Sequence, residues 1–147
     1  MEDRLDFRRV TEDCRMDIED NRALFRTYIK SLANPESLDH VVVADFIGHD
    51  LPPNLPPGVE GLKAFRRAVM RASPDQISEV RDLVVEGDKI AARIWVTGTH
   101  RGEFMGIAAT GKRYGVDVFE IDRIANGKIA ERWALLDWNS LRQQLAR

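Results

Sequence analysis

The chain has 147 residues, 22 basic against 24 acidic, a net charge of −2 and one cysteine, Cys14. That length suits one domain with one core. The mixed charge offers no basic stripe for nucleic acid, and a single thiol supports neither an intramolecular disulfide nor a thiolate metal cluster.

No apolar run reaches the roughly 18 residues of a membrane span. The N-terminus, MEDRLDFRRVTEDCRMDIED, has no secretory apolar segment, so a cytoplasmic protein is expected. Residues 1–17 read as a polar N-terminal extension and 18–147 as the folded domain. Leu24, Phe25, Tyr28, Ile29 and Leu32 recur at helical spacing and predict a helix from Ile18 to Ala33. Asn34-Pro35 closes it and opens a second helix, Glu36 to Asp45, with Leu38, Val41, Val42 and Phe46 inward. The proline-rich run 49–58 predicts a shaped loop. A third helix follows, Val59 to Ala72, with Leu62, Phe65 and Val69 on one side.

The remainder reads as four strands. Ile77–Glu86 turns at Gly87-Asp88 into Lys89–Thr99, and a two-residue turn there sets Asp82 against Arg93 and Val80 against Trp95. An irregular glycine-rich stretch, 100–111, leads to a last hairpin between Tyr114 and Asp137. Its Asn126-Gly127 is a strong turn signal. A two-residue turn sets Asp117 against Leu136. A three-residue loop, the preferred reading, sets Asp117 against Leu135 and pairs Glu120 with Arg132 across the strands. It also collects Phe119, Ile121, Trp133 and Leu135 on one face with Asp117, Glu131 and Asp137. Carboxylates among aromatic and aliphatic groups are paired, shifted in pKa or set beside a wet pocket, because burying an unpaired charge is costly. In this register Arg132 points to the opposite face, outward. A short helix ends the chain.

Three helices followed by antiparallel hairpins make an α+β fold, a curved sheet with helices on one face. The helices cover one face only, so the apolar outer face predicts a homodimer. Asp137 has two readings, pocket acid or N-cap of the last helix. Asp117 is either a pocket carboxylate or bonded to a neighbouring amide or tyrosine. His49 reads as a pocket donor or an exposed loop residue, His100 as a donor to a substrate oxygen or a brace of its loop, and His40 and Glu131 read as solvated. Tyr28 reads as a core aromatic bonded to Asp117 or water, or as a ligand contact, and Phe65, Trp95, Phe104, Phe119 and Trp133 read as core or as wall and contacts of a pocket. No histidine spacing fits a metal site, no serine sits in a nucleophile elbow, and no glycine loop is built for phosphate.

Five segments in this order, residues 23–29, 45–49, 55–65, 98–107 (GTHRGEFMGI) and NGKIAERW ending at Asp137, resemble the SnoaL-like polyketide cyclases of the nuclear-transport-factor-2-like superfamily. The resemblance covers Asn21 to Leu145. It implies an open cone enclosing a deep apolar pocket. It also implies cofactor-free ring closure by intramolecular aldol attack on an apolar, carbonyl-bearing small molecule. The pocket aspartate of that chemistry maps first to Asp137 and second to Asp117. Two departures stand out: Arg132 where many relatives have His, and Ala108 where Pro is usual. The alternatives are an epoxide hydrolase, dehydratase or isomerase of the same fold, and a non-catalytic dimeric binding protein. The Asp-Arg-Asp set of the superfamily's epoxide hydrolases is incomplete around Arg93 and Asp117, since Arg93 lacks an aspartate two residues on.

Overall fold

The computed structural model describes residues 7–147, with side chains from Asp17 onward. Residues 1–6 of the expected extension lie outside the described residues, but its remainder already belongs to the first helix. Helix α1 runs Phe7–Ser31, well upstream of the predicted start. Its inward stripe is as read, with Phe25, Tyr28, Ile29 and Leu32 all buried.

The second predicted helix does not form. Pro35–His40 makes a short 3-10 turn, and Val42–Gly48 is a strand, β1. The run Val41-Val42-Val43 is β-branched, stiff at χ1 and suited to a pleated surface. Pairing in parallel with the last strand supplies its backbone partners. Helix α2, Val59–Ala72, and strands β2, Ile77–Glu86, and β3, Lys89–Thr99, stand where the sequence put them. Then come β4, Arg113–Ala125, β5, Lys128–Leu136, and α3, Trp138–Ala146. The sheet has five strands rather than four, ordered β1-β5-β4-β3-β2, curved and unclosed.

Register decides which side chains face the helices. In the β2–β3 hairpin Asp82 does oppose Arg93, but an irregularity at Arg81 moves Val80 opposite Ile94 and leaves Trp95 opposite Glu79. In the last hairpin Ala125 pairs with Lys128, so the turn has two residues, not three. Asn126 and Gly127 have φ of 52° and 70°, the positive values that a type I′ turn demands at both central positions. An irregularity beyond Arg123/Ile124 then shifts the ladder by one, setting Asp122 against Arg132 and Glu120 against Ala134.

Because side chains alternate with period two, the shift restores the expected sorting of residues between faces. What changes is which face is inside. On β3, Ile90, Ala92, Ile94 and Val96 are buried. Their ladder partners on β4, Asp122, Glu120, Val118 and Val116, turn the same way, beneath the helices. Phe119, Ile121, Trp133 and Leu135 line the outer surface and are 56%, 46%, 39% and 78% exposed.

Candidate active site

Between the inner face of the sheet and helices α1, α2 and α3 lies a cavity of about 390 Å3. Most of its wall is aliphatic or aromatic, including Ile29, Leu32, Val69, Ile94, Val116, Val118, Leu141 and Leu145. Phe65 from α2, Phe104 from the loop after β3 and Trp138 from α3 form one aromatic flank. Phe104 lies 6.2 Å from Phe65 and 6.3 Å from Trp138, ring centre to ring centre. A small turn at Met105-Gly106 presents Phe104, whose amide and carbonyl exchange hydrogen bonds of 3.0 Å with those of Ile107.

The polar groups collect in three places. Glu120 and Arg132 line the cavity floor, and Asp122 lies buried behind them. Arg132 forks onto Asp50, Nε to Oδ1 at 3.0 Å and Nη2 to Oδ2 at 2.7 Å, and donates from Nη1 to the Tyr28 hydroxyl at 2.9 Å. Along one side, Arg66 donates to the Leu32 carbonyl and to Gln76; Gln76 donates to the Tyr114 hydroxyl, which donates to Ser73. His100 lines the third place, at the end of β3.

The floor is electrostatically unusual. Oε1 of Glu120 and both carboxylate oxygens of Asp122 are buried without a donor from any described residue. Burial pushes the Glu120 pKa up, against the pull of Arg132. It pushes Asp122 up further, and the neighbouring Glu120 adds to the rise. Two such groups, two residues apart on one strand face, cannot both ionise readily. One shared proton lets one carboxyl donate to the other. Burial opposes charge on Arg132 as well, but Tyr28, Asp50 and Glu120 together hold the guanidinium protonated. Burial lowers Arg66 to about 10, so it too keeps its charge near neutral pH.

Only some of the predicted site residues meet here. Phe65, His100 and Phe104 line the cavity. Tyr28 is wholly buried as the partner of Arg132, in place of the expected Asp117 or water, and is not part of the cavity wall. Asp137 is exposed and accepts from the Ser140 amide at 3.0 Å, so the N-cap reading describes it. Asp117 is on the outer face, 3.4 Å from Arg93. Neither aspartate lines the cavity, which corrects their expected placement in the pocket. Glu131, expected to be solvated, is instead tied to His49 and Arg123, both at 2.8 Å.

His49, Trp95, Phe119 and Trp133 are likewise outside the cavity. His49 stacks on Trp133 at 4.7 Å, and Arg81 lies over Trp95 at 4.8 Å. Phe119 and Trp133 are outside because the larger aromatic residues of the last hairpin sit on the face the helices do not cover. Arg132, expected to point outward, is 5% exposed and inward.

Sequence reasoning missed Glu120 and Arg132 as site residues, having paired them as a surface ion pair. The signal was in β3, whose alternation of Ile90, Ile94 and Val96 with Ala91, Arg93 and Thr97 marks its inner face. Among the described residues, no group of three or more His, Cys, Asp and Glu side chains is arranged to hold a metal ion.

The model of the SnoaL-like polyketide cyclases matches residues 21–145. The chain belongs to that family. Among solved structures, this SnoaL-like chain is similar to TsrD from Streptomyces laurentii, with 30% identity and a TM-score of 0.80 over 86% of this chain and 95% of that one. A candidate polyketide cyclase from Bacillus cereus ATCC 10987 shares 34% identity at a TM-score of 0.65, covering 77% and 70% of the two chains. AclR, a candidate hydroxylase from Streptomyces galilaeus, shares 25% identity at 0.75, covering 88% and 82%. No curated protein sequence matches the chain. The family is thus fixed, while its relatives differ in the reaction attributed to them.

Proposed function

We propose that this chain is a cofactor-independent acid/base enzyme that acts on an apolar, carbonyl-bearing small molecule, with Glu120 as its proton carrier. The observation that supports this most is the Glu120 carboxyl, buried in the wall of an apolar cavity, with its Oε1 lacking a donor among the described residues. A carboxyl whose pKa is raised toward the working pH both takes and returns protons efficiently. In an aldol ring closure, ionised Glu120 removes a proton from a carbon beside a carbonyl. The resulting enolate forms the carbon–carbon bond to a second carbonyl of the same molecule. The oxygen of that carbonyl becomes alkoxide and receives the proton back from Glu120. Arg132 supplies a fixed positive charge beside the developing oxyanion. Three of its five donors are committed to Asp50 and Tyr28, which hold its plane in place.

The Asp50–Arg132–Glu120 grouping favours a second reading, addition of water to an epoxide or its reverse. It is an acid-arginine-acid set drawn from different positions than the sequence offered. We also propose that the apolar outer face, with Phe119, Ile121 and Leu135 exposed, is covered by a second copy of the chain.

The test uses 1-phenylbutane-1,3-dione, an apolar molecule with an acidic carbon between two carbonyls. The native protein is expected to accelerate deuterium exchange at that carbon. Glu120→Gln is expected to lose about a hundredfold of the acceleration while binding survives. Binding with no acceleration in the native protein would favour the non-catalytic binding protein instead.

A further inference from the structure

His100 is 3% exposed, lines the cavity, and has an Nε2 with no partner among the described residues. Its other ring nitrogen is not free to choose a role. The Thr110 amide donates to Nδ1 at 3.3 Å, and the Thr110 hydroxyl lies 3.0 Å from the same atom. That hydroxyl oxygen already accepts from the Lys112 amide at 3.3 Å, so its own proton is available to Nδ1. Nδ1 is therefore an acceptor, and the neutral imidazole must carry its proton on Nε2. The tautomer is assigned from these partners.

The ring is also held in place from below. The His100 amide donates to the Lys112 carbonyl at 2.8 Å, and its carbonyl accepts from Gly111 at 2.7 Å. One residue earlier, the Asp75 carboxylate accepts from the Thr99 amide at 2.9 Å and the Thr99 hydroxyl at 2.7 Å. Arg101 and Gly102 tie the following turn to the Ala72 carbonyl at 2.8 and 3.0 Å. A side chain held this firmly, with a buried donor left over, is costly unless something accepts from it.

We propose that His100 is a substrate-positioning donor. It offers a fixed, neutral Nε2–H to an oxygen of the substrate that has lone pairs and no proton to give, such as a ketone, quinone or ester carbonyl. This deepens the function proposed above and rests on it. The His100 amide bonds Lys112, one residue before β4, and Glu120 lies eight residues further along the chain on that strand. At about 3.3 Å per residue that is about 26 Å of strand, which the curvature of the sheet shortens across the cavity. The two polar poles thus sit toward opposite ends of an apolar chamber. The substrate this selects is elongate and mainly apolar, with its reactive carbonyl at the Glu120–Arg132 floor and a second acceptor oxygen near the other end. A substrate presenting an ammonium group to His100 would set donor against donor and be rejected.

The test compares binding of 2-methylanthraquinone and 2-methylanthracene, similar in shape and differing in the carbonyls, by quenching of the Trp138 flank. His100→Leu is expected to weaken quinone binding about tenfold, the weight of one net hydrogen bond, and to leave the hydrocarbon unchanged. His100→Gln, which places an amide N–H near the position of Nε2, is expected to restore most of the loss. Equal weakening of both probes, or of neither, would overturn the inference while leaving the proposed function standing. Failure of the native protein to bind either probe would overturn both.

Nitrogen-15 spectra of the native protein supply a measurement independent of any variant. They are expected to show His100 as the Nε2–H tautomer, with that proton moved by the quinone and not by the hydrocarbon. An imidazolium or the Nδ1–H tautomer would overturn the inference.

Discussion

Arg132 Nη1 donates to the Tyr28 hydroxyl oxygen at 2.9 Å, across 104 residues of sequence, and both side chains are sealed from solvent. This bond fastens α1 to β5 and fixes the cation beneath Glu120. Tyr28→Phe leaves a buried guanidinium donor unmatched and is expected to cost about 1–3 kcal/mol in urea unfolding. Arg132→Met strands Asp50 and removes the cation nearest two buried acids, and the expected loss is larger, on the order of 3 kcal/mol or more. Equal stability in Tyr28→Phe and native protein would show that the hydroxyl does not hold Arg132.

The raised pKa values of Glu120 and Asp122 carry a definite sign for stability. Groups that hold a proton more tightly when folded contribute fully below the unfolded carboxylate range, about 4, and lose that contribution as pH climbs through the raised folded values. Asp75 and Glu131 act oppositely. The Thr99 hydroxyl and amide lower Asp75, and His49 with Arg123 lowers Glu131, so their contribution is lost as pH falls. Asp122→Asn is therefore expected to exceed the native protein in stability near about pH 8, with the difference shrinking toward about pH 5. Urea midpoints across that window check this. A difference that does not vary with pH would refute it.

Asp137 is expected to matter for folding rather than chemistry. Asp137→Ala removes the acceptor for the Ser140 amide and should cost about 1 kcal/mol. Asp137→Asn keeps the cap, and its deuterium exchange rate on the dione should match the native protein. Loss of exchange in Asp137→Asn would return the acid/base role to the residue the family resemblance implied.

On the outer face, Ile121→Glu places a charge among Phe119, Trp133 and Leu135, on the side of the sheet opposite Glu120 and Arg132. If a second copy covers this face, the native protein sediments as a dimer and the variant as a monomer, with probe binding in the cavity retained. A monomeric native protein contradicts the proposed dimer and nothing else.

Much of this fold was legible from alternation and turn chemistry. The bounds of α2, β2 and β3, the turn at Gly87-Asp88 and the cap at Asp137 all follow from residues within a few positions of one another. The failures came where distant segments decide. Val42–Gly48 has an apolar pattern that fits a helix, but the edge of β5 recruits it as a strand. The Asn126-Gly127 turn was visible, whereas the irregularity after it, which sets Asp122 against Arg132, was not.

The candidate site suffered most. Apolar bulk was taken as the sign of an interior, yet the bulky face of the hairpin, Phe119 to Leu135, is the outer one. The inner face carries small residues such as Ala134 because a cavity and charged groups occupy the room. His100 stood out in the sequence from its glycine-rich setting, but its tautomer depends on Thr110, whose placement no local pattern announces.

The most direct measurement is a carbon-13 titration of the side-chain carboxyls, assigned with Glu120→Gln and Asp122→Asn. Glu120 and Asp122 are expected to titrate as a coupled pair, with the first proton released well above the ordinary carboxylate range of about 4. A Glu120 signal that titrates alone, at or below that range, would contradict it.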